Sequence, residues 1–213
     1  MNIIDIFPTP VGTYELGREF TDIELNFIDE QRWEEHIGNY GSVATDLLDH
    51  KAFSSLRLFV EKSLKDYLTK TISPIDDNEF YITQSWANIT KPGQFHHGHV
   101  HQNSLISGVL YINAEEGKDN ILFTNSADKY ERIYLDIKEH TTYNSSSKSI
   151  SVKTGDLVLF PSELEHQVET TMSNSDRISL AFNTFVKGDL GFNNFYCGLK
   201  LYIVNISFKI QLC

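Results

Sequence analysis

Residues 95–113 read FHHGHVHQNSLISGVLYIN, a stretch that holds two expected strands, Gly98–His101 and Ser104–Asn113. Four of the chain's eight histidines fall here, at His96, His97, His99 and His101. In an extended strand successive side chains take opposite faces, so 97, 99 and 101 are expected on one side. Neutral imidazole is a good ligand for Fe, Zn, Cu or Ni, and two of them at i and i+2 make half of a metal site.

Outward from this stretch the chain changes period at about Phe80. Downstream, short strands are expected at Phe80–Ile89, Asn120–Phe123, Ser149–Val152, Asp156–Phe160, His166–Thr170 and Arg177–Val186, broken by turns such as Lys91-Pro92-Gly93 and Thr154-Gly155. Upstream the period is helical. Thr21 can cap a helix with Asp22 and Glu24 in its first turn and Ile23, Phe27 and Ile28 along one side. A second helix is expected from Asp49, with Phe53, Leu56, Val60, Leu64 and Tyr67 or Leu68 as its apolar stripe and Ser73-Pro74 as its stop. Ile3 to Phe7 reads as a short strand, and residues 32–48 as a surface segment without clean period. Eight short strands after two helices give a mainly β, α+β chain, a closed sandwich or jelly roll with the helices packed on one outer face. With no repeat and no linker, one domain is expected.

A chain of 213 residues, 40% hydrophobic and 12% aromatic, is ordinary for one globular domain. The formal charge of −11 disfavours a nucleic-acid backbone or an anionic membrane as partner. No apolar run is long enough to span a membrane, and the N-terminus lacks the basic region of a signal peptide. Cys197 and Cys213 are the only cysteines, which makes a reducing cytoplasm the expected location.

The distal segment FPSELEHQVE brings His166 to the start of a strand, and a third imidazole from a distant strand completes a facial site with open positions opposite. Further on, SDRISLAFN puts Arg177, Ser179 and Ala181 on one face. An arginine among small residues has room to hold a carboxylate with its planar fork.

HVHQNSLISGVLYIN, GDLVLFPSELEHQVE and RISLAFNTF together resemble the core of the Fe(II)/2-oxoglutarate-dependent oxygenases, and in particular a small family of bacteria and phages. FPTPVG and FYITQSWANITKPGQFHHGH extend the resemblance over roughly residues 5–191. It implies a double-stranded β-helix in a single domain, 1–191, with a helical part at 1–75, a jelly-roll core at 80–191 and a divergent tail at 192–213. It also implies a dioxygenase of hydroxylase type, with Fe(II), 2-oxoglutarate and O2, releasing succinate and CO2. Its partner would be a small-molecule or peptidyl substrate.

Carried over position by position, the resemblance makes His99, His101 and His166 the metal ligands, with no catalytic residue beyond them. It gives Arg177 and Tyr111 to the far carboxylate of 2-oxoglutarate, Ser179 to their support, and Asn103 and Ser107 to the pocket wall. Trp86, Phe95 and His97 are weaker candidates for the substrate pocket. His101 stands where the wider superfamily has Asp or Glu, so a neutral ligand replaces a charged one. Two other ligand sets stay open: a His97/His99 pair, or a carboxylate such as Asp156 or Glu165. A cupin-like three-histidine enzyme without 2-oxoglutarate and a non-catalytic jelly roll are the alternatives to the oxygenase.

Overall fold

The computed structural model describes residues 1–75, 78–125 and 136–202. The elements are β1 (Gly12–Glu15), α1 (Asp22–Asp29), β2 (Trp33–Glu35), β3 (Tyr40–Ser42), α2 (Ser54–Thr71), β4 (Glu79–Thr90), β5 (His96–His99) and β6 (Ile106–Asn113). They continue as β7 (Asn120–Thr124), β8 (Ser147–Ser151), β9 (Asp156–Pro161), β10 (Glu165–Val168), β11 (Arg177–Leu190) and β12 (Leu199–Leu201). All eight strands expected from Phe80 onward are present.

A large sheet runs β1-β9-β6-β11-β4-β3-β2, with β12 paired to the end of β11, and a smaller one runs β5-β10-β7-β8. Every ladder between these strands is antiparallel. The middle of the large sheet is buried on both faces, which is why ISGVLYIN carries no polar alternation. On one face Leu110, Leu157, Leu159, Leu180 and Phe182 pack with Leu56, Val60 and Leu64 of α2. On the other, Val109, Tyr111, Val158, Phe160 and Ala181 meet Ile121 and Phe123 of the small sheet. Gly108 is needed here: a Cβ on it would sit 2.2 Å from the Phe182 ring that lies across it. Two sheets with helices on one outer face are the expected jelly roll.

The helices follow their sequence signals with shifts at the ends. Thr21 caps α1 in a full capping box with Glu24. Ile28 is buried but Ile23 is 68% exposed, so the apolar side is narrower than expected. α2 starts at Ser54 rather than Asp49, because Leu47–Asp49 and Lys51–Phe53 form two 3-10 turns first. The stripe from Phe53 to Leu68 is buried throughout.

Three expectations are corrected. Ile3–Phe7 forms no strand and is exposed; the edge strand is β1, beyond Pro8 and Pro10. Residues 32–48 do not wander: Trp33–Glu35 and Tyr40–Ser42 make a hairpin that extends the large sheet through β4, and Leu47 and Leu48 are core. Part of the tail is ordered as β12, while residues 203–213, with Cys213, lie outside the described residues. Among the described residues no helix is long and apolar enough to cross a membrane.

Candidate metal centre

His99 and His166 are direct partners in the β5–β10 ladder, so two strands distant in sequence set their rings side by side. The ring centroids are 4.4 Å apart. His101 follows β5, held by its backbone N–H on the Ser162 carbonyl at 2.9 Å. One ligand nitrogen from each of His99, His101 and His166 lies within 4.8 Å of the others.

The outer nitrogens decide which inner ones are free. His99 Nδ1 is 2.9 Å from the His97 carbonyl, and His166 Nδ1 is 3.0 Å from the Leu164 carbonyl. His101 Nδ1 is 2.5 Å from Asn183 Oδ1 and 2.7 Å from Ser107 Oγ. A carbonyl oxygen only accepts, so each Nδ1 carries the proton and each Nε2 presents a lone pair. His99 Nε2 and His101 Nε2 are 3.1 Å apart. Two nitrogens bound at right angles to one metal, each at about 2.1 Å, sit about 3 Å apart. Lone pairs at that separation repel unless a cation lies between them, so the donor set fits a metal ion. Burial favours the neutral, ligating form: it pushes His166 down to about 3 and His101 to about 4, and lowers His99 as well.

The triad sits in a cleft between the sheets, lined on the large sheet by Trp86, Asn88, Val109, Arg177, Ser179 and Ala181. Arg177 begins β11 and is only 3% exposed. Its guanidinium lies 4.9 Å from the Tyr111 ring centre, its Nε has no hydrogen-bond partner, and among the described residues no carboxylate pairs with it. The Tyr111 hydroxyl is buried with no partner in hydrogen-bonding geometry. Burial raises its pKa, and the Arg177 guanidinium pulls the other way through its charge and its closeness to the hydroxyl, short of good hydrogen-bond geometry. Thr90, the register partner of Arg177, has a third buried and partnerless polar atom, Oγ1.

The other candidates are placed as follows. Ser107 is buried behind His101, and Ser179 and Trp86 line the cleft. Asn103 sits exposed in the turn before β6 with φ of 56°, outside the cleft lining. Phe95 is 41% exposed and packs on Gly38 instead of in the cleft. His97 is exposed as well, and the reason corrects simple alternation. The β5–β10 register slips between His99 and His96, so a bulge turns His96 inward onto His99 at 4.6 Å and leaves His97 outside. A second group, His96, His97 and His99, also has its nitrogens within 4.8 Å. Neither Asp156 nor Glu165 belongs to a potential metal cluster among the described residues. Sequence reading missed Thr90, Asn183 and Gln167, the last a β10 residue lining the cleft; strand alternation from Arg177 leads to Asn183 directly.

A model of the family described as "Putative 2OG-Fe(II) oxygenase" matches residues 84–183. No curated protein matches the chain. Among solved structures it is similar to an oxidoreductase of the 2OG-Fe(II) oxygenase family from Burkholderia pseudomallei, at 15% identity and TM-score 0.53, over 81% of this chain and 84% of that one. HygX from Streptomyces hygroscopicus, solved with nickel, 2-oxoglutarate and hygromycin B, is 11% identical at TM-score 0.55, over 83% and 82%. A prolyl hydroxylase from Trichoplax adhaerens, in complex with a hypoxia inducible factor peptide fragment, is 12% identical at TM-score 0.54, over 82% and 83%. At such identities the likeness is one of fold, the double-stranded β-helix; the expected cofactors, Fe(II) and 2-oxoglutarate, are those of the matching family. Residues 84–183 thus match the 2OG-Fe(II) oxygenase family model, and the fold around them is the one seen in solved oxygenases of that family.

Proposed function

We propose that this protein is a 2-oxoglutarate-dependent dioxygenase that hydroxylates a small-molecule or peptidyl substrate, with His99, His101 and His166 as the metal ligands. Arg177 carries the reading. A guanidinium buried to 3% exposure that pairs with no carboxylate among the described residues is costly unless an anion joins it. The anion that fits is the far carboxylate of 2-oxoglutarate, with the Tyr111 and Thr90 hydroxyls beside Arg177 as further donors. Bound Fe(II) would supply the oxygen chemistry. The chain's own part is to hold three neutral imidazoles with Nε2 inward, to orient the cosubstrate through Arg177, and to keep the site dry with Trp86, Val109 and Ile121.

Anaerobic protein with Fe(II) is expected to develop a visible metal-to-ligand absorption band on addition of 2-oxoglutarate, and to release succinate when air is admitted. A protein that binds Fe(II) but gives neither the band nor succinate is the cupin-like enzyme instead; one that binds no metal is the non-catalytic jelly roll. His166→Ala should abolish stoichiometric metal binding and His97→Ala should leave it intact. The reverse result would move the site to His96, His97 and His99.

A further inference from the structure

We infer that Asn183 is a positioning residue for the metal centre, fixing His101 as an Nε2 donor by accepting the proton on its Nδ1. This rests on the histidine site proposed above. His99 and His166 find their acceptors in the backbone, at the His97 and Leu164 carbonyls two residues away. His101 lies past the end of β5, and its Nδ1 meets two side chains, Asn183 Oδ1 at 2.5 Å and Ser107 Oγ at 2.7 Å.

Following the protons shows that both neighbours of His101 Nδ1, Asn183 and Ser107, act as acceptors. Ser162 donates to Ser104 Oγ at 2.7 Å, and Ser104 donates to the Ile106 carbonyl at 3.2 Å. Ser107 therefore has two acceptors in reach, Ser162 Oγ at 2.8 Å and Asn183 Oδ1 at 2.9 Å. With the Ser107 proton directed there, its oxygen is left to accept from His101. Both neighbours of Nδ1 are acceptors, so Nδ1 holds the proton and Nε2 is free for metal.

The backbone aims Asn183 at this task. It is the last β11 residue paired with β6, opposite Ser107, and a register shift against β4 falls between it and Thr184. The extra residue of that shift, Thr83, lies in β4, so β11 keeps its alternation and Asn183 shares the face of Arg177, Ser179 and Ala181. Thr184 pins the chain just after it: its hydroxyl donates to the Ile106 carbonyl at 2.7 Å, and its N–H donates to Ser104 Oγ at 3.2 Å. In this chain the ligand that replaces the superfamily's carboxylate thus comes with its own anchored acceptor.

Cobalt(II) is the probe, read by proton NMR in water. Each histidine bound through Nε2 contributes one exchangeable, hyperfine-shifted N–H resonance, so the wild-type protein should show three. Asn183→Ala should lose one of the three to exchange with water and weaken Co(II) binding about 10- to 100-fold, with the diamagnetic spectrum kept. Asn183→Asp, an acceptor of the same shape, should restore affinity and return that resonance at a new position. An Asn183→Ala protein with all three resonances and wild-type affinity overturns the positioning role. Fewer than three resonances in the wild type overturns the histidine site itself. Should Asn183→Ala fail to fold, Asn183→Asp decides: one resonance moved supports the role, and three unmoved resonances reject it.

Discussion

The N-terminus of α1 and the inner end of the histidine cleft each bury a charge to the same degree, Glu24 in one and Arg177 in the other, both at 3% exposure. Around Glu24 the shell is complete. Arg18 donates to Oε1 at 2.6 Å and to Oε2 at 2.9 Å, and the Thr21 N–H donates to Oε2 at 2.8 Å. Around Arg177 the shell is short: among the described residues its Nε, the Tyr111 hydroxyl and the Thr90 hydroxyl are buried with no partner in hydrogen-bonding geometry, although the guanidinium lies near enough to the Tyr111 hydroxyl to lower its pKa. A buried charge whose bonds are all made within the chain holds structure together. One whose neighbours are also left waiting fits a ligand, because leaving several buried polar atoms unpaired costs about 1–3 kcal/mol each.

The largest expected effect breaks the complete shell. Glu24→Ala removes one partner of a buried ion pair together with half of a capping box. It should lower unfolding free energy by about 3 kcal/mol, since Arg18 can still turn to solvent. Denaturant titration measures this, and 2-oxoglutarate affinity of the folded variant should not change. The same group sets a pH response. Burial works to raise the Glu24 pKa, but Arg18 and Thr21 outweigh it and hold it below 4.5. Its contribution is therefore full above 4.5 and fades as pH falls through the lowered value, so the wild-type advantage over Glu24→Gln should shrink in acid.

Next in size is Arg177→Met. Loss of a charge-assisted pair should weaken 2-oxoglutarate binding about 100-fold, near 2.7 kcal/mol. Metal content should stay at wild-type level and stability of the free protein should not fall, because an unpaired buried charge is gone. Loss of metal, or a fall in stability as large as that of Glu24→Ala, would make Arg177 a structural residue and erase the contrast.

The same contrast explains what the sequence disclosed. Thr21 was legible as a cap with Glu24 in the first turn because capping acts over about three residues, and the stripe of α2 was legible because its period is local. The eight strands from Phe80 onward showed their alternation or their apolar runs, and His99, His101 and His166 stood out as residue types in a strand setting. Harder to read was whatever depends on a slip in register. A bulge in β5 decides that His96 and not His97 faces inward. The 33–42 hairpin escaped notice because its strands are three residues long, too short for a period to show. Thr90 carried no signal at all, since its role comes only from lying opposite Arg177 in the β4–β11 ladder.

The smallest and sharpest test is one substitution made twice, Thr21→Val and Thr90→Val. Thr21 Oγ1 accepts from the Glu24 N–H at 3.3 Å, so its loss strips a helix cap and should cost about 1 kcal/mol. Thr90 Oγ1 is fully buried with no partner, so valine of nearly the same shape removes a burden and should raise stability by up to about 1 kcal/mol. Side chains opposed in a ladder sit about 5 Å apart, which puts this hydroxyl within reach of an anion held by Arg177. Thr90→Val should then weaken 2-oxoglutarate binding about fivefold while the protein itself becomes harder to unfold. Gain of stability and loss of affinity in one variant is the signature of a polar atom kept for a ligand. If Thr90→Val instead loses stability as Thr21→Val does, its hydroxyl serves the fold, and Arg177 and Tyr111 alone make the anion site.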